Sequence, residues 1–373
     1  MQMKVKKDEK TGTYWFVVSA GKDEFGKRRQ IKRRGFRTEK EAMREMRKIL
    51  QQVDENTYIK NTKLGYSEFL VGEWLDSKAL KLKPVTLATY RHNVQKHIAA
   101  YFHKVELGKI TPQMIEKFYA YLAKEKGLSE TTILDIHKIV KNSLKMAVKR
   151  KYISYSPAAD VESPKVPRKE MLVWNLEETT RFLKETEGSN LFVAYLLALT
   201  TGMRQGEILG LRWKDIDLVN GTLQVRQTLS HDGKHFSKET KTKSSTRTIT
   251  LTEKTIAELK AHKKRVAKEK LVAGSSYQDY DLVVCTKTGT PINPRNLLRD
   301  FYKLMKKAKV PKIKFHGLRH TVATLLLTQG VNPKVVKEIL GHSDIRVTLD
   351  TYTHVLPTVH KETAKQFGNM LFG

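Results

Sequence analysis

FHGLRHTVATLLLTQGVNPKVVKEILGHSDIRVTLDTYTHV, residues 315–355, gathers more chemically capable side chains than any other part of the sequence. His316 and Arg319 are spaced i, i+3, so on a helix they share one face and can point at one anion. Asn332-Pro333 offers an N-cap followed by proline at the first helical position, and the short helix it starts ends near Gly341, delivering His342. Further on comes Tyr352, flanked by threonines and followed by His354. Two imidazoles, a guanidinium and a phenol on a basic chain point to phosphate chemistry.

The segments upstream complete a unit over 170–373. Helical patterns cover 177–186 and 191–199, and the latter, LFVAYLLAL, reads as a buried core helix. The turn 200–203 starts another helix over 204–211, which sets Arg204 at a helix N-terminus, where free N–H groups and the dipole favour an anion. Strands are expected at 213–218, 222–227 and 246–251, with Asn220-Gly221 as a hairpin turn. Lys241 and Lys243 fall in the loop before the third strand, where a lysine can swing towards a ligand. Helices at 255–270 and 296–309 complete an α+β unit, mostly helical, with one small antiparallel sheet.

Residues 155–170 hold Pro157, Pro164 and Pro167 without periodicity and read as a linker. Before it, helical patterns at 66–80, 84–98, 111–124 and 129–151 make a four-helix bundle. Lys138, Lys141, Lys145 and Lys149 give the longest helix a basic outer side, for which DNA contact by Lys141 and Lys145 competes with a merely solvated face. The first 60 residues read as a sheet with a helix behind it. Strands are expected at 14–18 and 27–34, then a helix over 38–53 that starts with a capping box, Thr38 with Glu41. Eight of the sixteen residues from Lys22 to Arg37 are basic. Lys27, Arg28, Arg29, Lys32, Arg33 and Arg34 therefore suggest a ribbon that reads a DNA groove, against the plain alternative of a solvated hairpin.

Lysine and arginine total 70 against 39 acidic residues, a net charge of +31, so the expected partner is a polyanion, above all nucleic acid. No signal peptide, lipidation signal or apolar run near the ~20 residues of a membrane span is present, which argues against a membrane. Cys285 is the single cysteine, so an internal disulfide and a multi-cysteine zinc site are excluded and a cytoplasmic setting is expected.

Breaking a phosphodiester needs a nucleophile, neutralisation of the transition-state charge and a proton for the leaving oxygen. Arg204 and Arg319 supply planar forks for phosphate oxygens. His316 and His342 can donate to the same oxygens or move a proton. A lysine can protonate the departing oxygen, and Tyr352 can attack and hold the phosphate covalently. Each residue alone has a plainer reading: Arg204 paired with Glu207 on its own helix, His316 as a cap, His342 as a core imidazole, Tyr352 as packing. His316 and His320 look like half a metal site, but no HExxH glutamate accompanies them, so no metal and no other cofactor is expected.

Together these residues resemble the tyrosine recombinase (phage integrase) family, in particular integrases of Gram-positive phages and conjugative transposons. The resemblance rests on TGMRQGEILGLRW at 201–213, KTKSSTRTITL at 241–251, HGLRH at 316–320, LGH at 340–342 and LDTYTHV at 349–355. It implies three domains: an arm-type DNA-binding domain over 1–60 with a three-stranded sheet and a helix, a helical core-binding domain over 64–156, and a catalytic domain over 170–373. It implies catalytic roles for Arg204, Lys241, His316, Arg319 and His342, with Tyr352 as nucleophile. Glu207 orients the first arginine, and Lys243, two residues beyond Lys241 on the same face of an extended chain, is the other choice for the lysine. The implied reaction proceeds through a 3′-phosphotyrosine and strand exchange by four protomers on two DNA sites, integrating or excising a mobile element in a bacterial host. An accessory excision factor fits the same picture. The tail after Tyr352 carries spaced apolar residues suited to docking on its own or a neighbouring protomer. Two rivals are weighed against this: a type IB topoisomerase-like DNA-relaxing enzyme, and a non-catalytic DNA-binding regulator.

Overall fold

The computed structural model describes residues 4–22, 26–55, 58, 63–167, 171–238, 247–341 and 367–372. Its contacts divide the chain into two compact units, Met1–Arg168 and Lys169–Gly373.

The first unit opens with an antiparallel sheet in the order β1 (Lys6–Lys7), β2 (Tyr14–Lys22), β3 (Arg28–Phe36). Strand alternation turns Phe16, Val18 and Ile31 inward, where they meet Ala42, Met46 and Ile49 of α1 (Glu39–Asp54). Thr38 caps α1 by accepting the Glu41 N–H at 3.2 Å. The capping box closes differently from the sequence expectation, because the Glu41 carboxylate takes the N–H of Arg37 at 3.2 Å.

The bundle follows. α2 (Tyr66–Phe69) passes through a wide π turn (Leu70–Trp74) into α3 (Leu75–Ala79), and α4 (Pro84–Asn93) runs into a second π turn (Val94–Ala99). α5 (Pro112–Lys124) and α6 (Glu130–Lys149) start at Thr111 and Ser129, whose hydroxyls accept the N–H groups of Met114 and Thr132. The four expected helices are present. The two π turns, which face each other in the bundle, carry no signal in the apolar spacing. Tyr66, Phe69, Trp74, Phe102 and Phe118 fill the core, and the buried Tyr66 hydroxyl is satisfied by Ser143 at 2.8 Å.

The second unit is built from α7 (Leu176–Thr186), α8 (Phe192–Thr201) and α9 (Gln205–Leu209), then the strands β4 (Ile216–Asp217), β5 (Thr222–Gln224), β6 (Gln227–Leu229), β7 (Phe236–Lys238) and β8 (Thr248–Thr250). After them come α10 (Glu253–Ala273), α11 (Pro294–Lys307), α12 (Phe315–Thr328) and α13 (Pro333–Leu340). The apolar α8 lies inside, beside a ring cluster of Trp174, Phe182, Tyr195, Phe301 and Phe315.

Two strand expectations need correction. Trp213–Asp215 is a 3-10 turn, because Arg212 closes on Asp215 at 2.6 Å, and only Ile216–Asp217 is extended. The stretch 222–227 is not one strand. β5 ends at Gln224 in the sheet β4-β5-β8, whereas β6 pairs with β7 in a separate ribbon, so the described residues of this unit form two small sheets rather than one. The reason is α9: Gly206 and Gly210 let the β6 backbone approach so closely that a Cβ on Gly206 would sit 2.7 Å from the Leu229 carbonyl oxygen. The Asn220-Gly221 hairpin is as expected, with Gly221 at φ +64° and Asp217 accepting the N–H groups of Val219 and Asn220.

Candidate active site

The C-terminus of α8 begins the site. Thr201 ends the helix, and Gly202 caps it in the left-handed conformation at φ +62°. A Cβ there would lie 2.5 Å from Leu340 Cδ2, so the absence of a side chain lets α13 close against this turn. Arg204 then occupies the N-cap of α9, and Glu207 sits in the first turn.

Glu207 is buried, and its carboxylate is surrounded by donors. It accepts the Arg204 N–H at 2.9 Å and the Arg204 guanidinium at 2.6 Å. On its other side Arg247 donates at 2.7 and 3.3 Å. Burial alone would raise the Glu207 pKa. The charged hydrogen bonds from Arg247 and the field of Arg204 outweigh that and bring it down to about 2. The plainer pairing of Arg204 with Glu207 is therefore real, yet it leaves the Arg204 side chain 41% exposed, with guanidinium to spare for an anion. That guanidinium also reaches the Gly341 carbonyl at 3.4 Å, at the end of α13.

The first turn of α12 carries His316 and Arg319 on one face. Arg319 is buried, at 2% exposure, and donates to the Gly202 carbonyl at 2.9 Å, two residues before Arg204. His316 keeps an exposed edge. Desolvation, then the charges of Arg319 and Arg204, hold its pKa below the usual imidazole value, with Glu207 opposing. His320 stacks edge-to-face on it, with ring centroids 4.8 Å apart, and is pushed down to about 4 by desolvation and then by His316 and Arg319. Among the described residues no further His, Cys, Asp or Glu joins this pair in a group that could hold a metal.

Asn332 caps α13 through the Lys334 N–H at 2.8 Å, Pro333 opens the helix and Gly341 closes it in the left-handed conformation. His342, Tyr352, Lys241 and Lys243 lie outside the described residues, as does most of the tail beyond Tyr352. The described piece of that tail, residues 367–372, is helical and exposes Phe367, Met370, Leu371 and Phe372. Of the candidate residues, Arg204, Glu207, His316 and Arg319 are thus gathered at the junction of α8, α9 and α12.

Arg247 was missed. Its signal was in the strand alternation: Arg247, Ile249 and Leu251 share the inward face of β8, whereas Thr248 and Thr250 are exposed. An arginine at an inward position requires a buried carboxylate, and Glu207 is that partner.

The ribbon of the first unit has its own arrangement. On the sheet face away from α1, Lys32, Lys6 and Arg34 lie over the Trp15 ring at 4.6, 5.4 and 5.7 Å. Arg33 is on the other face, where it donates to Tyr58 at 3.0 Å, so it is separated from Lys32 and Arg34. Lys27 and Arg28 are exposed, and the Arg29 side chain lies outside the described residues. On α6, Lys141 and Lys145 are exposed.

Comparison with known proteins agrees with this picture. The phage integrase family profile matches residues 175–358, an arm DNA-binding domain matches 4–53 and a phage integrase SAM-like domain matches 70–163. A XerC-like tyrosine recombinase of Caldanaerobacter subterraneus subsp. tengcongensis is 32% identical over 96% of this chain and 96% of its own. The chain belongs to the tyrosine recombinases of the phage integrase family. This recombinase is also 29% identical to the ICEBs1 integrase of Bacillus subtilis, over 99% of this chain and all of that one. In fold it is similar to the Tn1549 transposon integrase in complex with a circular intermediate DNA, at a TM-score of 0.68 with 21% identity, over 81% of this chain and 99% of that one. A lambda integrase tetramer bound to a Holliday junction aligns at 0.60 with 18% identity, over 93% and 94% of the two chains. As a member of this family, the recombinase cleaves and rejoins DNA in site-specific recombination, and neither the topoisomerase nor the regulator alternative is favoured. Among the described residues no helix is long and apolar enough to cross a membrane.

Proposed function

We propose that this recombinase integrates or excises a mobile element through a 3′-phosphotyrosine formed at Tyr352. Arg204 and Arg319 clamp the scissile phosphate, and His316 and His342 donate to its oxygens or relay a proton. Lys241, with Lys243 as the alternative, protonates the leaving 5′ oxygen. The phosphotyrosine conserves the energy of the broken bond, so a second 5′ hydroxyl reverses the step without an energy source. Residues 1–60 take up arm-type sites, 64–156 grip the core site with Lys141 and Lys145 towards the duplex, and 170–373 perform the chemistry. Four protomers act on two DNA sites in the cytoplasm of a bacterial host, with an excision factor setting direction.

The observation that carries this reading is the meeting of two distant segments. Arg319 of α12 holds the carbonyl of Gly202, and Arg204, two residues on, projects a half-exposed guanidinium from the N-cap of α9. Cations preorganised in this way are what a developing phosphorane charge requires. The test is a nicked suicide duplex bearing the element's junction sequence. The intact protein should give a denaturation-resistant protein–DNA band, and Tyr352→Phe should bind the duplex yet give none. A band that persists in Tyr352→Phe overturns the proposal.

A further inference from the structure

We infer that Arg247 is a positioning residue for recombination: through Glu207 and the end of α13 it sets the geometry of Arg204 and of the chain entering His342. The inference rests on the functional reading above. Arg247 is buried, at 8% exposure, and makes three directed bonds that radiate from one planar group. Two go to the Glu207 carboxylate, at 2.7 and 3.3 Å. The third runs from Nε to the Ile339 carbonyl at 2.9 Å. Its aliphatic stem lies on the backbone of Gly341, where a Cβ would come within 2.9 Å of Arg247 Cδ.

The carbonyl it takes is one of those that a helix C-terminus leaves without an intrahelical partner, at the negative end of the dipole. Arg204 takes the carbonyl of the C-cap, Gly341, two residues on. Glu207 therefore sits between two guanidiniums, and both guanidiniums hold the same end of α13. His342 follows Gly341 directly in the chain, and the segment 241–246, with both candidate lysines, precedes Arg247 directly. One side chain thus holds the described residues that border two stretches carrying proposed catalytic groups, Arg247 itself and Gly341, and fixes the carboxylate that orients Arg204. Lysine keeps the charge but cannot span a carboxylate and a carbonyl with one rigid fork.

The test uses full-length protein and the same nicked duplex, under single-turnover conditions. Arg247→Lys should remain folded by circular dichroism and bind the duplex with a Kd within about twofold of the unchanged protein. Its cleavage rate constant should fall on the order of 100-fold, as expected when reacting groups are displaced by about 1 Å. Arg247→Met with Glu207→Gln should cleave no more slowly than Arg247→Met alone, because the two side chains act as one unit. A purely structural role would lower the amplitude, as fewer molecules fold, and leave the rate constant of the active fraction unchanged. That result overturns the inference, as does failure of both Arg247→Lys and Arg247→Met to fold. Tyr352→Phe run alongside tests the nucleophile separately, so an adduct there removes the functional reading whatever Arg247 does.

Discussion

Glu207 holds two guanidiniums on a carboxylate that solvent does not reach, and removing it leaves Arg247 buried and uncompensated. Glu207→Ala should therefore destabilise the second unit by about 3–5 kcal/mol, read from the midpoint of its urea transition. A loss below about 1 kcal/mol would mean that water replaces the carboxylate. The sign of the pH effect follows from the downward shift. The stability that the carboxylate contributes is complete above its ordinary value of 4.5 and is lost as pH falls towards about 2. His320 works at higher pH. Its folded pKa of about 4 lies below the ordinary 6.5, so the unfolded chain binds more protons between those values. Stability should be highest above 6.5 and decline as pH drops towards about 4, and His320→Gln should flatten that decline in thermal melts. An unchanged slope would show that His320 protonates freely in the fold.

At the level of elements, the contact between α9 and β6 fixes where Arg204 points. Gly206→Ala would place a methyl 2.4 Å from Thr228 Oγ1 and 2.7 Å from the Leu229 carbonyl, on two partners with little room to move. A cost of about 1–3 kcal/mol is expected, together with lost cleavage, and the differential melting curve measures the first. Much of this architecture was legible beforehand. Caps such as Asn332-Pro333 and Thr111-Pro112 and the apolar stripe of α6 announce helices through local chemistry, and His316 and Arg319 declare a shared face by spacing alone. What escaped was non-local. β6 leaves the sheet because two glycines on another element admit it, and nothing within 222–229 says so. Arg247 was readable only by pairing strand alternation with a carboxylate 40 residues upstream, and the π turns depend on how two helices meet. The second candidate cluster, around Trp15, was half legible: the basic run was plain, but the register that sends Arg33 to the helix side came from the Phe16–Arg33 pairing.

For the whole molecule, the net charge of +31 makes association with DNA a counterion-release process. Lys32→Ala with Arg34→Ala should lower the salt slope of binding by roughly 2, about 1 per phosphate contact, and leave the melting temperature unchanged. A slope equal to that of the unaltered protein would mark the Trp15 face as solvated surface. Among the described residues the hydrophobic clusters are each confined to one side of the break between Arg168 and Lys169. Each half thus carries a core of its own among the described residues. If the proposed division of labour holds, a cousin's first half joined to this second half should carry foreign addresses on DNA to the same cutting engine, a route by which a mobile element changes its destination without relearning its chemistry.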